Sequence, residues 1–363
     1  SGAAIIWVEA TAISLEARAN PRQLMLTEKN LDEFKEMVDN IKTTCEKENG
    51  FTPMLIMQAT HSGRYSKPEG KPAPIIMYNN PIFEKDKPIS EDRIATDDYL
   101  KRVEELFGKS ARLAEKAGFD GVDIKACHRY LISEALSAYN RPGPYGGGLE
   151  NRIRLFLNSV EAAKAEVSGD TFITSRMNIY DGFPYPYGWG VNENSGETPD
   201  MSEPIKLIDI LHNKLGIELL NFTVGNPYVN PHVNRPFDVG PYEQPEHPLV
   251  GVARVCDCTA EVKSHFKDLV VINSANSYLR QFSMNMAAGM VESGKTDIVG
   301  FGRQSFAYPQ FANDIIHEGK LDPKKCCIAC SKCSELMRAG TVAGCVIRDT
   351  EVYLPIYKEK VKK

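Results

Sequence analysis

Gly118-Phe119-Asp120-Gly121-Val122-Asp123-Ile124-Lys125-Ala126-Cys127-His128-Arg129-Tyr130-Leu131 holds the end of a helix, a strand and a cluster of polar side chains. Upstream, Thr96 or Asp97 can cap a helix to about Lys116 with Leu100, Val103, Phe107, Ala111 and Ala114 on one face, and Gly118 stops it. Asp120 to Lys125 follows as a strand. Just past it Lys125, His128 and Tyr130 present a cation, an imidazole and a phenol to one pocket. Such groups polarise a carbonyl and deliver a proton.

The same unit recurs outward in both directions. Leu31, Phe34, Val38 and Ile41 repeat at helical spacing, and Phe51 to Thr60 is a short apolar run carrying Gln58, with His61 just beyond it. Residues 62–95, rich in Pro, Lys and Gly, form a long excursion. Downstream come a helix over 155–167, a strand over 172–177, an aromatic loop over 180–189, a helix over 205–215 and a strand over 217–222. After a Pro-rich loop over 225–247, strands at 269–272 and 297–300 alternate with helices at 283–293 and 311–318. Short strands with polar residues at their carboxyl ends, alternating with helices, predict an α/β fold of the TIM (β/α)8-barrel type. Seven to eight strands can be counted, with no counterpart of the barrel's first strand. The chain lacks an initiator Met and opens on the apolar run Gly2 to Ala10, expected to be a buried strand, so residues upstream are expected to be missing. The barrel is assigned residues 1–322, and residues 323–363 form an appendix.

Composition narrows the function. A hydrophobic content of 42% with 25% charged residues fits an ordinary globular protein, and a net charge of −5 provides no basic face for nucleic acid. There is no apolar run of membrane-spanning length, and no signal peptide is expected. Nine cysteines, clustered rather than distributed, suggest a reducing cytoplasm.

The cluster is Cys327-Ile328-Ala329-Cys330-Ser331-Lys332-Cys333, with Cys345 beyond a short helix-like segment. Four thiolates select zinc or an iron–sulfur cluster. Three of them on one loop depart from the two separated Cys-x-x-Cys knuckles of structural zinc sites. Cys327, Cys330, Cys333 and Cys345 are therefore expected to hold a [4Fe–4S] cluster. Cys326 is an alternative first ligand, although Cys327 completes the evenly spaced set. Among other signals, Tyr145 to Arg152 is either a phosphate loop or a tight structural turn. Gly300-Phe301-Gly302-Arg303 combines glycine amides with an Arg fork suited to phosphate. Arg176 ends a strand and, if buried, needs an acceptor. Cys256 and Cys258 are expected to be a packed pair, while Tyr228, His232 and Arg235 are candidates to roof a pocket.

Gln58-x-x-His61-x-Gly63-Arg64, the stretch from Gly118 to Arg152, Arg176 and Gly300 to Arg303 together resemble the old yellow enzyme family of FMN barrels. The cysteine tail resembles the branch containing trimethylamine dehydrogenase and 2,4-dienoyl-CoA reductase. The resemblance implies that Ala10 lies against the flavin, Gln58 bonds its pyrimidine edge and Arg176 stabilises charge on its reduced form. It assigns the FMN phosphate to Gly302, Arg303 and the backbone around Ser274 and Ala275. Tyr130 matches the proton donor, and His128 one of two residues that bind the substrate's carbonyl oxygen. Lys125 departs from the His or Tyr usual at its position, and Asn273 to Asn276 lacks the glycine usual in the phosphate loop. The implied activity is hydride transfer from reduced flavin to an activated C=C, fed through the cluster or by NAD(P)H. An electron-transfer subunit without its own turnover and an amine-type dehydrogenase are the alternatives. A small-molecule substrate, an electron-donor protein and a homo-oligomer are the expected partners.

Overall fold

Thr96 does cap the helix Asp97–Lys116: its hydroxyl accepts the Tyr99 N–H at 3.2 Å. Leu100, Val103, Phe107, Ala111 and Ala114 are completely buried. Each large apolar side chain so enclosed contributes roughly 1.5–3 kcal/mol. The helix packs on Arg154–Glu166, so two crossover helices cover neighbouring strands. The computed structural model describes residues 1–362, which fall into two compact units.

The first unit runs from Ala4 to Asn226. Its strands are β1 (Ile5–Ala12), β2 (Met54–Thr60), β3 (Gly121–Ile124), β4 (Phe172–Tyr180) and β5 (Leu219–Val224). They pair in parallel and in sequence order. The register sets Gln58 opposite Asp123, Asp123 opposite Thr174, and Arg176 opposite Asn221. The opening strand differs from its expectation: Ile5 to Val8 are half-buried, and only Thr11 and Ala12 at its end are buried. A register shift between Val8 and Thr11 marks a bulge at Glu9 and Ala10.

The second unit comprises Ser1–Ala3 and the chain from Pro227 onward. Here β6 (Val270–Asn273) and β7 (Ile298–Val299) pair in parallel. Seven parallel strands alternating with helices make this an α/β fold of TIM-barrel type. One long helix, Pro248–His265, fills a stretch between the Pro-rich loop and the next strand for which no element was expected. It buries Val252, Val255, Cys256, Thr259 and Val262 at helical spacing, a stripe disguised by its cysteine and threonine members. Cys256 and Cys258, expected as a packed pair, are each buried but lie two residues apart on this helix, so they face different sides and pack separately. The tail forms the helices Lys332–Arg338 and Tyr353–Lys360, with Leu336, Val346 and Tyr357 packed together. Among the described residues no helix is long and apolar enough to cross a membrane.

Candidate functional site

In the first unit the site is built around a carboxylate that sequence reading did not single out. Asp123 is completely buried in β3. Its Oδ2 accepts from Trp7 Nε1 at 2.7 Å and Gln58 Nε2 at 2.6 Å, and its Oδ1 accepts the Arg176 backbone N–H at 2.7 Å. β1, β2 and β4 thus converge on one side chain. Burial pushes Asp123 above the usual carboxylate range, against the pull of these hydrogen bonds. Because a carboxylate only accepts, Gln58 must turn its amide nitrogen inward and keep Oε1 as its remaining acceptor. Arg176 is half-buried rather than fully enclosed. Ala10 sits at the β1 bulge, with its carbonyl accepting from Gln23 Nε2 at 2.9 Å.

Immediately after β3, Lys125 is buried with Nζ 4.0 Å from the centroid of the Tyr130 ring. Burial lowers the Lys125 pKa; Cys127 and Asp123 oppose the shift, and Arg176 adds to it. The Cys127 thiol between these groups is pushed by burial to about 11, so it stays protonated at neutral pH. His128 and Arg129 both take left-handed backbone, with φ of 65° and 58°. Consecutive residues of this kind each cost on the order of 1 kcal/mol and persist only where their surroundings hold them. Here the His128 N–H donates to Asn178 Oδ1 at 3.2 Å, and buried Arg129 donates to Asp181 Oδ2 at 3.0 Å. The turn sets Tyr130 at the start of the helix Leu131–Leu136, its ring 5.9 Å from that of Tyr65. The structure therefore joins Lys125 and Tyr130 directly and fixes His128 through its backbone.

The motif after β2 supports this turn from behind. The Gly63 N–H donates to His61 Nδ1 at 3.0 Å, so Nε2 carries the proton and donates to Tyr99 Oη at 2.7 Å. The His61 carbonyl accepts the Leu131 N–H at 3.1 Å. At Gly63 (φ 55°) a Cβ would stand 2.8 Å from the Leu131 nitrogen, so only glycine admits this approach. Arg64 pairs with the buried carboxylates of Glu84 and Glu134. Tyr145 to Arg152 is likewise structural, since Arg152 donates to the carbonyls of Gly147 and Leu136 and to Glu203. Burial lowers the His61 pKa from 6.5 to about 3. The unfolded chain then binds the extra proton between those pH values, so stability is retained above about 6.5 and lost as the pH falls toward 3. From pH 7 to pH 5 this one residue is expected to cost roughly 2 kcal/mol. Urea midpoints at both pH values, compared with those of His61→Gln, check this: the variant should lose that much of the pH dependence.

In the second unit, Ala275 adopts left-handed backbone (φ 76°), the conformation that a glycine would take at lower cost. The Gly300 N–H donates to the Asn273 carbonyl at 2.8 Å, tying this turn to the end of β7. A Cβ on Gly302 would meet nothing within 4 Å, and Arg303 Nη1 is buried without a hydrogen-bond partner among the described residues. An open glycine backbone beside an unsatisfied guanidinium donor suits an anion. Arg303 also borders a cavity lined by Cys327, Cys330, Cys333 and Cys345. Cys326 is turned away, fully buried with Tyr308, Phe311 and Leu321, and its Sγ lies 3.3 Å from the Asp322 carbonyl. Among the described residues no three His, Cys, Asp or Glu side chains close around a single metal ion. Arg235, a candidate pocket residue, instead donates to Ser334 Oγ at 2.8 Å, and His232 bonds Tyr242.

Comparison with known proteins supplies the affiliation. Residues 1–213 match the NADH:flavin oxidoreductase / NADH oxidase family. Cinnamate reductase of Clostridium sporogenes is 28% identical over 261 residues, 70% of this chain and 36% of the relative. NADPH dehydrogenase of Clostridium acetobutylicum is 24% identical over 318 residues, 85% of this chain and 79% of the relative. Among solved structures, 2-naphthoyl-CoA reductase matches with a TM-score of 0.75 and 21% identity, over 97% of this chain and 50% of that one. Histamine dehydrogenase from Rhizobium sp. 4-9 matches at 0.67 and 19%, over 94% of this chain and 45% of that one. At those identities the structural likeness concerns the fold. The chain thus spans about a third of the cinnamate reductase and half of the naphthoyl-CoA reductase. On the match over residues 1–213, the chain belongs to the NADH:flavin oxidoreductase / NADH oxidase family.

Proposed function

We propose that this chain is the FMN- and [4Fe–4S]-bearing part of an ene-reductase acting on a C=C bond conjugated to an electron-withdrawing group. The observation that carries the reading is the buried Lys125 Nζ 4.0 Å from the centroid of the Tyr130 ring, at the end of a strand whose Asp123 holds Gln58 and Arg176. Relatives named cinnamate reductase and 12-oxophytodienoate reductase support an activated alkene as substrate.

Bound FMN would supply the hydride chemistry. The protein's own groups do the rest. Gln58 and Arg176 would hold the flavin's ring side and Ala10 would lie against it; Ser274, Ala275, Gly302 and Arg303 are the residues that would take its phosphate. Lys125 and His128 hold the substrate's polar group. Tyr130 donates its Oη proton to the alkene carbon that does not take the hydride, with the Lys125 side chain beside its ring. Cys327, Cys330, Cys333 and Cys345 bind the cluster, through which a partner protein can deliver electrons; NAD(P)H is the other donor.

Anaerobic purification with a visible spectrum, iron and acid-labile sulfide assays and flavin identification tests both cofactors. FMN with about four irons per chain is the expected result. Iron without flavin would favour an electron-transfer subunit, and flavin without iron would remove the cluster from the account.

A further inference from the structure

Gln58 and Arg176 belong to different strands, 118 positions apart in the numbering, yet both are tied to one carboxylate. The register explains how. Gln58 lies directly across from Asp123, and Arg176 lies two residues beyond Asp123's other partner, Thr174. Trp7 reaches the same oxygen as Gln58 from β1. Every hydrogen bond to Asp123 named here comes from an N–H donor, so the arrangement has one sense: a group that only accepts, surrounded by groups that only donate toward it. Gln58 is the adaptable member, because a primary amide can turn end for end and present either NH2 or C=O to its surroundings. The indole and the backbone N–H cannot.

We infer that Asp123 is a positioning residue for the flavin's ring side, fixing the amide sense of Gln58 and the middle of β4 at Arg176. This rests on the FMN reading above. The carboxylate makes no contact with the ring in this role. It acts through Gln58, whose Oε1 it leaves as the acceptor for a ring N–H, and through the backbone from which the Arg176 side chain springs.

Asp123→Asn is nearly isosteric but leaves one accepting oxygen where two now serve. At least one of the three donors must then face an NH2 group. In the full chain, freed of flavin, FMN affinity is read by quenching of FMN fluorescence during titration. Asp123→Asn is expected to weaken FMN binding at least tenfold. In a background already lacking both ring-side groups, Gln58→Met with Arg176→Met, adding Asp123→Asn should change affinity by less than about threefold, because nothing remains to be positioned. A native-like affinity in the single variant overturns the inference. So does an undiminished tenfold penalty in the doubly substituted background, which would mark a general structural role. If Asp123→Asn fails to fold, Asp123→Glu displaces the same acceptors by one methylene, and the same pair of measurements decides. Failure of the unsubstituted protein to bind FMN would overturn the flavin reading itself, a result visible before any variant is made.

Discussion

Tyr130→Phe is expected to lower the rate of alkene reduction by roughly 10²–10⁴-fold, the usual contribution of a positioned general acid. The substitution is mild in every other respect. The ring is buried, it lies beside Lys125 Nζ and it packs near Tyr65, and phenylalanine preserves all three relations. Only Oη is removed, and with it the proton that the substrate carbon must receive. Consumption of NAD(P)H with oxygen as acceptor should stay within a few-fold of the native rate, since no carbon has to be protonated there. The check is a pair of steady-state assays on the same preparation, one with cinnamate and a simple enone, the other with oxygen alone. Equal rates for native and variant protein with the alkenes would remove Tyr130 from the chemistry and favour a chain that passes electrons without reducing a substrate. A loss in both assays would point to damaged flavin binding.

Much of this site is legible in the residues because TIM-type folds collect polar groups at the carboxyl ends of otherwise apolar strands. Lys125, His128 and Tyr130 follow an apolar strand within six residues, and the helix before it carries a stop at Gly118 and a cap at Thr96, one of two candidates. Asp123 escaped notice for a physical reason. It sits in a strand whose other members are Gly121, Val122 and Ile124, and its partners lie 116, 65 and 53 residues away. The available signal was its isolation: a carboxylate inside an apolar strand must find donors or stay in water, and Gln58 and Trp7 were candidate donors. The helix Pro248–His265 was hidden for a different reason. Pro248 occupies its first turn, and its buried stripe includes a cysteine and a threonine, which weakens an apolar periodicity that packing nevertheless uses. The opening strand erred in the other direction: Ile5 to Val8 are apolar but only half-buried, because composition alone does not say which faces of a strand are covered. Ala275 shows a third limit. Its backbone is left-handed without the glycine that would adopt this conformation at lower cost, and residue type alone does not announce such a turn.

Replacing Cys330 by alanine is expected to remove nearly all iron, from about four atoms per chain to less than one, together with the broad absorption near 400 nm. The loop around this residue gives the reason. Ala329 and Ser331 flank it with φ of 51° and 60°, conformations that side-chain-bearing residues seldom adopt. Two such positions in three residues cost on the order of 2 kcal/mol and point to a constraint beyond local preference. That constraint turns Cys327, Cys330 and Cys333 toward the cavity that Cys345 also reaches. The informative comparison is between neighbours. Cys327→Ala should lose iron as Cys330→Ala does, whereas Cys326→Ala should keep it, because Cys326 faces Tyr308, Phe311 and Leu321 instead of the cavity. Removing its sulfur costs packing, so a lower melting temperature with full iron content is the expected pattern. Iron retained by Cys327→Ala but lost from Cys326→Ala would exchange the two residues' roles and require this loop to turn over when the cluster is present. Iron retained by all three variants would mean that the four thiols lining the cavity are not its ligands.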